Sequence, residues 1–170
     1  MAETAEALGL SAANVKTTHH RARRAMEAYD RRRCRPGDEL TARTRAALVR
    51  FLGAIRAQDA SAVEAMLAAD VVARTDGGGE FVAARVPLVG AQRVAHTYVK
   101  LAAQRAGSPL RHELRLLNGL PAILIEDAAP PSRWAPRWTI QVEIGGDGLI
   151  RAVHSVLATR KLRALRPVDP

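Results

Sequence analysis

Cysteine is nearly missing from this chain: Cys34 is the single example in 170 residues. An intramolecular disulfide is thereby excluded, and no Cys/His spacing suggests zinc, so no metal site is expected. No stretch approaches the roughly 18 consecutive apolar residues of a membrane span. The N-terminus carries Glu3 and Glu6 where a secretory leader needs positive charge and an apolar run. These absences predict a soluble, cytoplasmic protein with no membrane contact. Residues 1 to 34 hold no proline and, apart from Gly9, no glycine, so only one position there interrupts a helical pattern. Neither an internal repeat nor a low-complexity tract is present. Acidic residues are also short, with 17 Asp and Glu against 26 Lys and Arg. The formal net charge of +9 and pI of about 11.1 favour an anionic partner such as nucleic acid over an anionic small substrate.

The remaining composition, 48% hydrophobic and 25% charged, is that of a globular protein with one or two domains. Pro36-Gly37 is the best boundary, because the pair ends a helix and opens a turn. The expected organisation is a helical module over 1–34, a linker over 35–40 and a larger domain over 41–166.

In the first module AETAEAL predicts a short helix over 2–8, Gly9 a left-handed exit, and Ser11 the N-cap of a second helix starting at Ala12. On that second helix Val15, His19, Ala22, Met26 and Tyr29 form one stripe that would face a partner. Ala13, Thr17, His20, Arg21 and Arg24 lie about 180° away, with Lys16 and Arg23 on the flank. The polar face is short-chained near its start and cationic further along. Small polar groups near a helix start can approach base edges in a major groove while arginines reach phosphates. The same pattern also fits a solvated basic helix. His19 and His20, adjacent on a helix, point about 100° apart and make no metal site.

The run AETAEALGLSAANVKTTHHRARRAM resembles the promoter-reading helix-turn-helix of region 4 in extracytoplasmic function sigma factors. The matching residues are Glu3, Ala5, Leu8, Gly9, Ser11, Val15, Lys16, Arg21, Ala22, Arg23 and Arg24. The resemblance implies that the second helix reads a −35 type promoter element and that promoter DNA and the RNA polymerase core are partners. It makes Asn14, Lys16, Thr17 and His20 candidates for base or nearby phosphate contacts, and Arg21, Arg23 and Arg24 candidates for anchoring the DNA backbone. Thr18 and His19 depart from the family's basic residue and leucine. The resemblance also implies an N-terminally truncated chain that begins inside region 4, with region 2 absent.

In the larger domain, Thr41 is expected to cap a helix running to about Arg56, with Leu48, Val49, Leu52 and Ile55 inward. Ser61 and Glu64 have the spacing of a capping box opening a helix that carries Val63, Met66 and Leu67. Strands are expected over 71–75 and 80–86 around TDGGGE, a helix over 90–104, and strands over 112–117, 122–126, 138–144 and 149–157. Gly145 to Gly148 reads as a hairpin turn. Helices first and antiparallel strands later predict an α+β layer in which a curved sheet wraps helices.

FLGAIRAQDASAVEAMLAADVVARTDGGG, followed by PLVGAQRV at 87–94, is similar to a SnoaL-like domain, a cone-shaped α+β roll. More narrowly it resembles the SnoaL-like extension fused to one sigma-factor subgroup, where an Asp-Gly-Gly-Gly-Lys turn and a tail near Asn-Pro-Asp-Lys-Leu recur. The resemblance implies that Asp76, Gly77, Gly78 and Gly79 form a regulatory turn; on the residues alone the stretch is a hairpin or bulged turn. Glu80 replaces the subgroup's lysine, and Ala158 to Leu162 keeps only the Lys-Leu of the tail, followed by arginines that read as a solvated end. No cofactor is implied, and a small ligand in the SnoaL-like pocket is a possible partner. Two rival expectations stand beside this non-enzymatic reading. One is a SnoaL-like cyclase or isomerase using Asp70, Asp76, His96 or His154 for proton transfer, with Trp134 and Trp138 as pocket walls or as plain loop packing. The other is a module that binds protein without reading DNA.

Overall fold

A computed structural model describes residues 2–32 and 36–169 and, of residues 28 and 30–32, the backbone alone. Cys34 and Arg35, where the expected boundary and linker begin, lie outside the described residues. The chain divides into two compact units, Met1–Arg35 and Pro36–Pro170.

The first unit is a helix-turn-helix: α1 (Ala2–Leu8) and α2 (Ala12–Arg32). Gly9 ends α1 at φ +63°, a left-handed backbone that glycine adopts without a side-chain penalty. Gly9 N donates to the Glu6 carbonyl and Leu10 N to the Ala5 carbonyl, satisfying two of the helix's last free acceptors. Ser11 Oγ accepts from Asn14 N at 3.2 Å and so caps α2 as the sequence predicts. The expected apolar stripe is only partly used. Ala5 and Val15 are buried, whereas His19, Ala22, Met26 and Tyr29 are exposed. The reason is length, since a 7-residue helix of about 10 Å covers only the first third of a 21-residue helix of about 30 Å.

In the second unit α3 (Asp38–Arg56), α4 (Ala60–Ala65) and α5 (Ala91–Ala103) pack against one sheet. Its strands are β1 (Leu67–Asp76), β2 (Leu88–Val89), β3 (Leu110–Leu117), β4 (Leu120–Asp127), β5 (Arg137–Ile144) and β6 (Ile150–Val156), and a short α6 (Thr159–Leu162) follows. The spatial order is β2-β1-β6-β5-β4-β3, antiparallel throughout except for the parallel β1–β6 pair. Alternation along the strands sorts the two faces. Ile123, Ile140, Val142 and Val153 meet Leu48, Phe51, Val94 and Tyr98 of the helices on the inner face. Phe51 and Tyr98 meet edge to face with centroids 5.6 Å apart. Tyr98 Oη and Ser155 Oγ share a buried hydrogen bond of 2.9 Å, and burial pushes the phenol up to about 12. On the outer face, Arg137 Nη1 donates to the Leu165 carbonyl at 3.0 Å and Arg115 Nη2 to the Pro167 carbonyl at 2.7 Å. Leu162 and Val168 are buried, so the C-terminal stretch is anchored as a strap, while Arg160, Arg163 and Arg166 are exposed.

This α+β roll agrees with the expected fold class, and four local expectations are corrected. Gly37, not Thr41, is the N-cap of α3; Asp38 and Glu39 occupy the first turn, where carboxylates complement the helix dipole. Thr44, Leu48, Phe51 and Ile55 form its buried face and Val49 is 48% exposed. Asp59, not Ser61, caps α4 by accepting from Ala62 N at 2.9 Å, because Gln58 at φ +56° turns the chain two residues early. The expected strand over 80–86 does not form: Val82 and Val86 are exposed, and β2 is reduced to two residues opposite Val72 and Ala73. One edge of β1 is occupied by β6, and Pro87 has no N–H to extend a ladder along the other.

Candidate functional site

All seven residues proposed for DNA contact lie on α2, and all seven are exposed. At 100° per residue Arg23, Lys16, His20, Arg24, Thr17, Arg21 and Asn14 follow one another around half the helix circumference. From Asn14 to Arg24 they extend about 15 Å along the axis. The helix start thus offers Asn14 and Thr17, and the following turns offer guanidiniums. Asn14 Oδ1 accepts from Thr18 Oγ1 at 3.4 Å, an exposed contact that leaves the amide's own N–H groups available. The acidic residues of α2, Glu27 and Asp30, come after Arg24 in the chain. Because the Gly9 turn and Ser11 cap fix where α2 begins, the small polar groups are placed at its leading end.

Asp76 to Gly79 closes β1 as a turn and not as a β-hairpin, since no strand follows it at 80–86. Asp76 Oδ1 accepts from Gly78 N at 3.0 Å, and Oδ2 pairs with Lys161 Nζ. The Lys161 hydrogen bond, assisted by that of Gly78, holds the Asp76 carboxyl below its usual value. The Asp76 carbonyl also accepts from Leu157 N and Ala158 N. Gly78 sits at φ +61°, and a Cβ there would lie 2.7 Å from Ala158 Cβ. The structure therefore joins two sequence features 85 residues apart: the glycine turn and the Lys-Leu of the tail. Glu80, at the position of the subgroup's lysine, is exposed.

The residues considered for proton transfer are not brought together. Asp70 is largely exposed beside Arg151 at 3.6 Å, and His96 is exposed on α5. His154 Nε2 meets Glu143 Oε1 at 2.9 Å on the surface, and Asp76 is held by Lys161. Among the described residues none of these carboxylates hydrogen-bonds to either histidine. Trp134 and Trp138 enclose a residue of the protein itself. The Arg105 guanidinium carbon lies 4.7 Å from the Trp134 ring centre and 4.2 Å from that of Trp138. Arg105 Nη1 donates to buried Asp127 at 2.7 Å and Nη2 to the Ala135 carbonyl at 3.2 Å. Sequence reasoning missed Arg105, because a lone arginine just past a helix looks like any solvated one. No group of three or more His, Cys, Asp or Glu suited to a metal ion occurs among the described residues, and no described helix is long and apolar enough to cross a membrane.

No family model and no curated protein matches this chain. Solved structures do. The extracytoplasmic function sigma factor SigJ of Mycobacterium tuberculosis is 23% identical over 99% of this chain, with a TM-score of 0.62. This chain spans 56% of that sigma factor. A steroid delta-isomerase from Pseudomonas aeruginosa is 19% identical, covering 69% of this chain and 80% of its own, with a TM-score of 0.51. A protein of unknown function with a cystatin-like fold from Methylobium petroleophilum is 17% identical, covering 76% and 95%, with a TM-score of 0.50. At these identities the likeness establishes the fold: a helix-turn-helix followed by a SnoaL-like α+β roll.

Proposed function

We propose that this protein acts in transcription initiation, with α2 reading a −35 type promoter element in concert with the RNA polymerase core, and with the SnoaL-like unit regulating that activity and performing no catalysis. The observation that carries the reading is the exposed half of α2, where Asn14, Thr17 and His20 lie among Lys16, Arg21, Arg23 and Arg24. An α-helix fits a major groove about 12 Å wide, and guanidiniums further along can reach its flanking phosphates. The likeness to a sigma factor over 99% of the chain supports the same reading.

Fluorescence anisotropy with promoter-like duplexes at several salt concentrations tests it. Four cations on phosphates would give a slope of log affinity against log salt of about −3.6, and each Arg→Ala change should flatten it by about 0.9. Arg21→Ala and Arg24→Ala should weaken all duplexes alike, whereas Asn14→Ala and Thr17→Ala should erase sequence preference. A folded sample with no DNA affinity at low salt would sink autonomous DNA reading. The enzymatic alternative has in its favour the likeness to a protein described as a steroid delta-isomerase. Against it, Asp76 and His154 are each engaged with a different partner. Turnover of a steroid isomerase substrate that disappears in Asp76→Asn or His154→Gln would reverse the preference.

A further inference from the structure

A cleft of about 330 Å³ opens on the outer side of the sheet between the ends of β4 and β5 and the strap that follows β6. This volume falls at the small end of the roughly 300–1,000 Å³ typical of ligand pockets. Arg111, Arg137 and Arg163 reach it from β3, β5 and the strap, and Pro136, Leu157 and Leu162 supply apolar wall. The two acids present are already engaged. Asp127, fully buried, accepts from Arg105 through Oδ2 and from Ala129 N through Oδ1. Glu126 accepts from Arg137 Nε at 2.8 Å and from its Nη2, and its other oxygen takes Arg111 Nη2 at 3.3 Å. One carboxylate thus serves two guanidiniums. Arg163 forms no hydrogen bond or ion pair with any described residue, and Arg111 is 47% exposed with its other N–H donors unused.

We propose that this cleft binds a small organic carboxylate, the carboxylate held by Arg163 and Arg111 and the apolar body lying against Pro136, Leu157 and Leu162. A planar guanidinium matches a carboxylate with two parallel hydrogen bonds. The Glu126–Arg137 pair is only partly exposed, and the other oxygen of Glu126 holds Arg111, which lines the cleft. Positive charge beside low-dielectric walls concentrates its field in the cleft. The ligand must be amphiphilic, because a bare oxyanion would leave the apolar wall hydrated and a neutral molecule would leave the surplus cations unanswered. The site lies wholly within the second unit and is independent of any DNA contact by α2.

Isothermal titration of the full chain with benzoate, benzamide and inorganic phosphate tests the proposal. Benzoate should bind and weaken as salt is raised, and benzamide should not bind. Arg163→Gln and Arg111→Gln should each reduce benzoate affinity about tenfold or more. Arg163→Gln removes an exposed side chain without partners and should keep the wild-type circular dichroism and melting curve. Arg21→Ala, on α2, should bind benzoate as the wild type does. The proposal is overturned by any of four results: no benzoate binding, equal binding of benzamide, binding of phosphate alone, or benzoate affinity that follows Arg21 and ignores Arg111 and Arg163.

Discussion

Replacing Arg105 with methionine tests the interior of the larger unit most sharply. The guanidinium is 8% exposed, lies between two indole rings, and is the salt-bridge partner of a carboxylate with no exposed side-chain surface. Burial pulls Arg105 below its ordinary value, and the neighbouring Asp127 carboxylate opposes that pull. Methionine keeps apolar bulk between the rings but leaves Asp127 with only the Ala129 amide. Loss of the ring contacts costs about 1 kcal/mol, and an uncompensated buried charge about 3–5 kcal/mol, so the second effect dominates. The midpoint of urea unfolding should fall by about 2–3 M at a slope of roughly 2 kcal/mol per M. Trp134 and Trp138 are the chain's two tryptophans and both touch Arg105, so their fluorescence reports this unit directly. Arg105→Met combined with Asp127→Asn should cost less than the two single changes added, because no orphaned charge remains. A loss under about 1 kcal/mol for Arg105→Met, or strict additivity in the double variant, would refute the reasoning.

Three further expectations concern other parts of the fold. Gly9 and Gly78 share a left-handed backbone, but a Cβ meets nothing at Gly9 and Ala158 at Gly78; in thermal melts Gly9→Ala should cost about 1 kcal/mol and Gly78→Ala clearly more. Tyr98 is raised to about 12 from 10, so the native state keeps its proton longer than the unfolded chain, and stability should decline between pH 10 and about 12. Tyr98→Phe should lack that alkaline limb in pH-dependent urea melts, while losing about 1–2 kcal/mol at neutral pH through the orphaned Ser155 hydroxyl. Asp76 is depressed below 3.8, so its contribution is complete above that pH and fades as pH falls through the lower native value; Lys161→Met should flatten this acid limb, a small effect at an exposed pair.

Much of the architecture was legible because it depends on neighbours in sequence. The Gly9 exit and the Ser11 cap are three- and four-residue devices, and both form as the local pattern dictates. The Gly145–Gly148 turn closes the β5–β6 hairpin for the same reason. The misreadings have different causes, and distant chain competes in one of them. EFVAARV alternates like a strand, yet β6 pairs in parallel with β1 and Pro87 limits the antiparallel ladder to two residues. Ser61 and Glu64 have capping spacing, but Asp59 reaches the first free amides of α4 because Gln58 bends the chain before it. The α2 stripe has helical period, yet period alone does not say how much cover a seven-residue α1 can provide.

The order of amino acids by itself determined the two-helix motif, its turn, and the polar and cationic half of α2, because a helix's face follows from its fixed angle per residue and its ends from local hydrogen bonding. It also determined the α+β character of the rest through the change in apolar period. Only the tertiary structure decided that Asp76 meets Lys161, that two tryptophans grip Arg105, and that the arginines of β3, β5 and the strap converge on one cleft. These groups lie tens of residues apart, and their meeting depends on strand order and register, which no local pattern encodes.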